Sequence, residues 1–204
     1  VSVVCSNALN RTVKEFSIKE PGKILDKVRD LVIETFEKSE SEVKDGMDIS
    51  LCAIDLKNKN ILNVSSPYVL SYLFSRNSHV LTTDINEMEK KFIYENANLK
   101  FRTENALSLS FVDNQFDLTY SISVIEHIYN DYSREISEMI RVTKKGGLIY
   151  ISFPISKEYR EDWIEQNIYG HQHEQDQKVF FQYIFDEKTT AEIMRNFTNS
   201  TEII

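Results

Sequence analysis

The stretch that decides the fold is residues 61–84, which read ILNVSSPYVLSYLFSRNSHVLTTD. Its first apolar run, 61–64, predicts a short strand. The pair Ser66 and Pro67 predicts a helix start, because a serine hydroxyl caps free N–H groups and proline at the first helical position gives up a donor that has no partner there. Apolar residues with helical spacing follow, and a second apolar run ends at Asp84. Strand, helix and strand in this order indicate a parallel sheet with helices packed on it.

Asp84 stands 20 residues after Val64. In a doubly wound sheet, an acid at about 20 residues from the first strand lies at the tip of the second strand and accepts hydrogen bonds from ribose hydroxyls. A third predicted strand, 99–103, leads to Asn105, whose side chain would reach the edge of an adenine. The alternative interpretation is that Asp84 only shapes a turn, which is a common role of aspartate after a strand.

The rest of the pattern continues the alternation of strands and helices. A fourth strand begins at Phe116 and runs toward Glu126 and His127, and a helix is predicted over 131–142. The residues Lys144-Lys145-Gly146-Gly147 predict a turn, since glycine permits backbone conformations that end a helix, and a fifth strand over 148–153 follows. The predicted fold class is α/β, with a Rossmann-like, doubly wound and mostly parallel sheet.

Three segments carry a resemblance to a known family. They are TDI at 83–85, NALSLSF with DNQFD between 105 and 117, and RVTKKGGL at 141–148. Their order and spacing are those of a class I S-adenosylmethionine-dependent methyltransferase of type 11. Residues 60–204 therefore resemble this family. The resemblance implies S-adenosylmethionine as cofactor and a small-molecule or protein methyl acceptor. One departure is the first loop, where the family has an acid followed by alternating glycines and this chain has no glycine.

The family's roles transfer to individual positions of this sequence. The acid would hold the ribose hydroxyls, and the loop after the third strand would meet the adenine with a side chain and a backbone N–H. The first loop and the end of the fourth strand would line the methionine end. In chain order, the implied cofactor-binding residues are Val64, Ser65, Asp84, Asn105, Ala106, Ser121 and Ser123.

Methyl transfer requires a base only where the acceptor has to lose a proton. Glu126 and His127, at the mouth of the fourth strand, are the predicted catalytic residues; the alternative is that they cap or begin the next helix. A second candidate is the segment 170–174, Gly-His-Gln-His-Glu. Two histidines with no third ligand at a suitable spacing favour a solvated loop over a metal site, so no metal is predicted.

An aromatic-rich insert follows the fifth strand. Tyr159, Trp163 and Ile164 predict a helix over 158–166, and a run of apolar residues follows at 180–185. In the resembled family this region forms part of the acceptor pocket. The alternative is that these aromatic side chains cover the sheet as ordinary core.

The first 58 residues predict two helices and a strand, over 3–16, after Pro21, and over 47–54. This segment resembles the interior of a SpoIIE-like, metal-dependent serine phosphatase, in which Asp45 would occupy a metal-ligand position. Because one carboxylate does not assemble a two-metal site, phosphatase activity is not expected. The predicted domains are 1–58, an incomplete phosphatase-like segment, and 59–204, a methyltransferase domain lacking its last strands.

Composition narrows the class of partner. A net charge of −8 and a pI near 5.1 argue against avid binding to nucleic-acid phosphates. No apolar run is long enough for a membrane span, and the cysteines Cys5 and Cys52 in apolar settings predict a reducing cytoplasm. Two alternatives to an enzyme stay open: a non-catalytic binding or regulatory protein with an inactive first loop, and a phosphatase remnant that depends on Asp45.

Overall fold

The computed structural model describes residues 2–38, 57–65, 68–170, 172–195 and 197. The chain forms two compact units, 1–55 and 56–204. Within the described ranges, none of the helices has the length and apolar character that crossing a bilayer requires.

The first unit contains two packed helices, α1 (Ser2–Lys14) and α2 (Pro21–Lys38), where the sequence predicts them. Apolar side chains spaced along one face of each helix form their contact: Ala8 of α1, and Ile24, Val28 and Leu31 of α2. The predicted strand over 47–54, together with Asp45 and Cys52, lies outside the described residues.

The second unit is built on a five-stranded sheet in which every neighbouring pair is parallel. Its strands are β1 (Asn60–Val64), β2 (His79–Asp84), β3 (Leu99–Thr103), β4 (Phe116–Ile122) and β5 (Thr143–Ser152). The spatial order β3-β2-β1-β4-β5 confirms the predicted doubly wound sheet. From β1 the chain adds β2 and β3 toward one edge of the sheet, and it then adds β4 and β5 toward the other edge. The gap between β1 and β4 is therefore the switch point, where such sheets bind ligands at the carboxyl ends of their strands.

Successive side chains of a strand point to opposite faces of the sheet, so the apolar core has one part on each face. Leu62 and Val64 face α4 (Tyr132–Val142), which connects β4 to β5, and they pack near Met139. Ile61 faces the other side, in a cluster that includes side chains of α3 (Tyr68–Phe74), the connection from β1 to β2. A 3-10 helix, Glu87–Phe92, links β2 to β3.

The predicted helix over 158–166 is wrong. Residues Arg160–Ile164 form a strand, β6, which pairs antiparallel with β8 (Lys178–Ile184) in a small sheet whose other edge is β7 (Glu174–Gln175). Trp163 lies opposite Phe180, with ring centroids 5.5 Å apart. A short apolar run fits either period, and here the cross-strand aromatic pair stabilises the strand. The final described helix, α5, is Glu187–Arg195.

The predicted turn at residues 144–147 is a bulge within β5. The pairing of β4 with β5 jumps from Phe116 opposite Thr143 to Leu118 opposite Leu148, so the intervening residues leave the ladder. Gly146 has a φ of +76°, and a Cβ on Gly147 would lie 2.9 Å from the Asp117 carbonyl oxygen. Both positions therefore require glycine.

Candidate functional site

Asp84 ends β2 with its two carboxylate oxygens in different environments. Oδ1 accepts a hydrogen bond of 2.9 Å from the Asn86 backbone N–H, which is the turn-forming role of the alternative interpretation. Oδ2 lies 3.4 Å from the Tyr68 hydroxyl, which is also 3.2 Å from Glu89 Oε2. Because one hydroxyl hydrogen serves one acceptor at a time, Asp84 Oδ2 has spare capacity for a ligand. Burial raises the Asp84 pKa, against the lowering effect of the Asn86 N–H.

The first loop adopts a glycine-type conformation without glycine. Ser65 has a φ of +59°, and its backbone N–H donates to the Thr83 carbonyl oxygen at 3.1 Å. A left-handed conformation costs an L-residue about 1 to 2 kcal/mol. The preceding Val64 side chain is fully buried in the core, so Val64 would offer a ligand only its backbone. Ser66 and Pro67 lie outside the described residues.

A buried polar network holds this loop from below, and the sequence interpretation missed it. The Asn63 side-chain amide donates to Ser71 Oγ at 3.1 Å and to Thr82 Oγ1 at 2.8 Å. Ser71 Oγ is in turn 2.7 Å from the Tyr120 hydroxyl. These contacts join β1, α3, β2 and β4 beneath the strand tips. The signal in the sequence was a polar residue, Asn63, in an otherwise apolar strand.

The predicted adenine loop is already internally bonded. Asn105 is exposed, and its Oδ1 accepts a hydrogen bond of 2.9 Å from the Leu107 backbone N–H. An amide oxygen has two lone pairs, so one acceptor position is left for an adenine amino group. Ala106 is half-buried and packs against the core. The structure thus fixes the loop that the resemblance assigns to adenine.

Arg141 fastens this loop to α4. Its guanidinium donates to the carbonyl oxygens of Leu109 at 2.9 Å and Phe111 at 2.7 Å. It also pairs with Asp113 at 2.8 Å and with Glu138 at 2.7 Å. Glu138 completes the arrangement by accepting the Leu109 backbone N–H at 2.7 Å. These charge-assisted bonds explain why an arginine precedes the Lys144–Gly147 bulge.

A pocket of about 420 Å³ opens at the carboxyl ends of β4 and β5, and it contains both predicted catalytic residues. The strand ends and the small sheet contribute its lining: Ser123, Glu126, His127, Ser152, Phe153, Pro154, Tyr169, Phe181 and Gln182. The apolar residues of the insert divide between this pocket and the core, and the assignment of the pocket to an acceptor stays a prediction. Phe181 lines the pocket, whereas its neighbour Phe180 is fully buried in the core.

His127 is held in one tautomer. Its Nδ1 is 2.6 Å from the Phe181 carbonyl oxygen, which only accepts, so the hydrogen is on Nδ1 and Nε2 carries a free lone pair. Burial lowers the His127 pKa. The ring packs edge-on against Tyr169 and Phe181, at centroid distances of 5.1 Å and 5.2 Å. A neutral imidazole with a free Nε2 has the state that a base requires.

Glu126 is the second ionisable group of the pocket, and it is only 2% exposed. Burial raises the pKa of Glu126 to about 7, while hydrogen bonds from its own backbone N–H and from Ser123 oppose the rise. Its Oε2 has no partner in the described part of the protein. Glu126 and His127 belong to a 3-10 turn, Ile125–His127, and the residue that precedes α4 is Asp131, so neither residue caps α4.

The two predicted serines of β4 have different positions. Ser121 is fully buried, and its hydroxyl donates to Glu135 Oε1 at 2.7 Å. Ser123 lines the pocket and has a φ of +54°. Glu135, which the sequence interpretation missed, is also fully buried, and burial raises its pKa to about 8. The sequence hint of this burial is that Glu135 lies four residues before Met139, on the same face of α4.

No group of three or more histidine, cysteine, aspartate or glutamate side chains suited to a metal occurs among the described residues. His173 stacks on the Tyr129 ring at a centroid distance of 4.1 Å. His171 lies outside the described residues, so the metal interpretation of the segment 170–174 gains no ligand set.

Comparison with known proteins identifies the second unit. The family model described as a methyltransferase domain matches residues 64–151. A solved S-adenosylmethionine-dependent methyltransferase from Mesorhizobium loti is similar at 14% identity and a TM-score of 0.50, over 71% of this chain and 76% of that chain. A protein from Pyrococcus horikoshii is similar at 20% identity and a TM-score of 0.48, over 83% and 81% of the two chains.

A chain from a methyltransferase–activator complex of Haloferax volcanii matches at 18% identity and a TM-score of 0.43, over 49% of this chain and 47% of that chain. This chain spans about half the length of the first solved structures that it matches. No curated protein matches it. The family match and the fold confirm the class I methyltransferase interpretation, and S-adenosylmethionine is the cofactor that the family implies. The phosphatase resemblance of residues 1–58 stays a prediction.

Proposed function

We propose that this chain, whose residues 64–151 match the methyltransferase-domain family model, binds S-adenosylmethionine and transfers its methyl group to an acceptor held beside Glu126. The observation that carries the proposal is the strand order β3-β2-β1-β4-β5. It brings the Asp84 tip of β2 and the pocket beyond β4 to the same edge of one parallel sheet, on either side of the switch point.

The residues at the strand tips fit this cofactor. Asp84 Oδ2 has spare acceptor capacity for a ribose hydroxyl, and Asn105 Oδ1 keeps a lone pair for the adenine amino group. The backbone N–H of Ala106 would face the adenine ring. Ser65 and Ser123 both adopt left-handed backbone conformations, which turn the chain sharply at the ends of β1 and β4 where the methionine end would lie. When bound, the cofactor supplies a methyl group activated by a positively charged sulfur.

The chain's own contribution is to orient the acceptor and to receive a proton. Holding a nucleophile in line with the methyl group supplies most of the rate in a reaction of this kind. Glu126 and His127 are the two groups in the pocket that can accept a proton near neutral pH, since burial raises the pKa of the first and lowers that of the second. Ser123, beside Glu126 in the pocket lining, lowers the Glu126 pKa by hydrogen bonding, against the effect of burial.

The test is isothermal titration calorimetry with S-adenosylhomocysteine, using the wild type, Asp84→Ala, and Asp26→Ala as a charge-matched control. Loss of charge-assisted hydrogen bonds to the ribose should weaken binding by about 100-fold in Asp84→Ala. Asp26 is an exposed residue of α2, so its replacement should leave the affinity unchanged.

Two results would count against the proposal. Absence of heat from a folded wild-type sample would favour the alternative of a non-catalytic binding protein. Equal affinity of the wild type and Asp84→Ala would place the ligand away from the tip of β2.

A further inference from the structure

The lining of the acceptor pocket contains an acid but no lysine or arginine. Of its nine lining residues, only Glu126 and His127 are ionisable in the neutral range, and none is lysine or arginine. His127 is held neutral, because burial lowers its pKa and Nδ1 donates to the Phe181 carbonyl oxygen. The lining therefore offers one acid that a bound cation can hold in its ionised form, and it offers no positive charge to a ligand.

The Glu126 carboxyl group has one oxygen without a hydrogen-bond partner among the described residues. The side chain is 2% exposed, it lines the pocket, and its Oε2 accepts no hydrogen bond from the described residues. A buried carboxylate oxygen without a cation or donor is destabilised, so a ligand that brings both gains binding energy. A ligand carboxylate or phosphate would meet repulsion with no compensating cation.

The remaining wall is aromatic. Tyr169 and Phe181 stack with ring centroids 6.2 Å apart and planes 13° from parallel, and Phe153 lies on the same pocket. Aromatic faces attract cations, and their area suits an apolar body on the ligand. Buried acid and aromatic walls together form a receptor for an ammonium group on an apolar carrier.

We propose that the methyl acceptor is a primary or secondary amine on an apolar ring or chain, bound as its ammonium form against Glu126. The inference rests on the proposed function, because it takes this pocket as the acceptor site. It extends that proposal from methyl transfer in general to N-methylation of a cationic small molecule.

Glu126 would accept the proton that the amine has to lose in this reaction. An ammonium nitrogen has no lone pair, so the carboxylate first removes one N–H proton and leaves a neutral amine. The nitrogen lone pair then forms the new N–C bond as the carbon–sulfur bond breaks with its electrons passing to sulfur. The product is a methylated ammonium ion, and the proton on Glu126 returns to solvent.

The experiment uses three probes that share a benzene ring and differ in charge: benzylamine, benzyl alcohol and benzoate. Each is titrated into the full chain by calorimetry, with and without saturating S-adenosylhomocysteine. Benzylamine should bind about tenfold or more tightly than benzyl alcohol, as expected for a charge-assisted hydrogen bond, and benzoate should bind most weakly.

The variant Glu126→Gln should lose the preference for the amine, whereas Glu158→Gln, which removes the same charge at an exposed position, should keep it. In the wild type the preference should also shrink as the pH falls through about 7, because Glu126 becomes protonated. The titratable neighbours in that pH range are His127 in the same turn and Glu135 on α4. This second measurement does not depend on the folding of the variant.

The inference is overturned if benzyl alcohol or benzoate binds as tightly as benzylamine, if Glu126→Gln retains the preference, or if the folded chain binds none of the probes. The two proposals fail separately. Binding of S-adenosylhomocysteine without an amine preference removes only the acceptor assignment, whereas an amine preference without cofactor binding removes the methyltransferase function and leaves only an amine-binding pocket.

Discussion

Replacement of Glu135 by glutamine should change how the stability of the protein depends on pH. Glu135 is fully buried in α4, its Oε1 accepts the Ser121 hydroxyl at 2.7 Å, and no described group pairs with its Oε2. Burial, reinforced by the nearby Glu126 charge, raises its pKa from the ordinary 4.5 to about 8. Glutamine keeps the oxygen that Ser121 requires and cannot ionise.

The magnitude follows from proton linkage. An acid with a raised pKa in the folded state binds more protons folded than unfolded, so its contribution is most favourable below the unfolded pKa and is lost as the pH rises through the folded pKa. At about 1.4 kcal/mol per pH unit, a rise from 4.5 to about 8 corresponds to a loss of about 5 kcal/mol between pH 4 and pH 9. The variant should escape most of that loss.

The assay is urea unfolding followed by the fluorescence of Trp163, the single tryptophan, at pH 5 and pH 9. From pH 5 to pH 9, the wild type should lose several kcal/mol of stability that Glu135→Gln keeps. The free energy of unfolding of the variant should therefore rise relative to that of the wild type, by about 4 kcal/mol from proton linkage. Glu158→Gln, an exposed control, should show no such trend. A difference between Glu135→Gln and the wild type that does not vary with pH would refute the reasoning, because it would mean that Glu135 ionises normally in the folded state.

Two further substitutions test the loops at the strand tips. Ser65→Gly should be neutral or stabilising by up to about 1 kcal/mol in urea unfolding, because glycine adopts the φ of +59° without steric cost, whereas Ser65→Val should destabilise by about 1 to 2 kcal/mol; equal stability of the two variants would show that the left-handed conformation is absent. Arg141→Ala should destabilise the fold by about 1 to 3 kcal/mol and speed hydrogen exchange at the Leu109 amide, because the bonds to Leu109, Phe111 and Asp113 are lost; unchanged exchange at Leu109 would contradict the role of Arg141 in fixing the loop.

The sheet was predictable because its sequence pattern is local. Several strands of the parallel sheet contain a short apolar run, and the 20-residue spacing placed Asp84 at a strand tip without knowledge of the contacts. The bulge at 144–147 was also visible, because two consecutive glycines mark backbone that side chains would obstruct. These features depend on spacing and on single residues.

The strand β6 and the buried acid Glu135 were not predictable in the same way. The aromatic spacing in 158–166 fits a helix as well as a strand, and the choice depends on Phe180, which lies opposite Trp163 and follows much later in the chain. Glu135 lies on the Met139 face of α4, but the sequence around it does not show what would satisfy a buried acid there. Its burial depends on Ser121, a partner 14 residues away on β4.

Helix α4 links the two halves of the candidate site. Glu138 and Arg141 hold the 105–111 loop on one side, through the Leu109 backbone, while Glu135 accepts a hydrogen bond from Ser121 of β4 and has its pKa raised in part by the Glu126 charge. These α4 residues are three apart, so they lie close together along the helix. A shift of α4 would therefore move the 105–111 loop and alter the environment of Glu126 together. For this reason the binding of S-adenosylhomocysteine and of the amine probe should be measured on the same Glu135→Gln sample, where a change in only the second would separate the effect of charge from that of helix position.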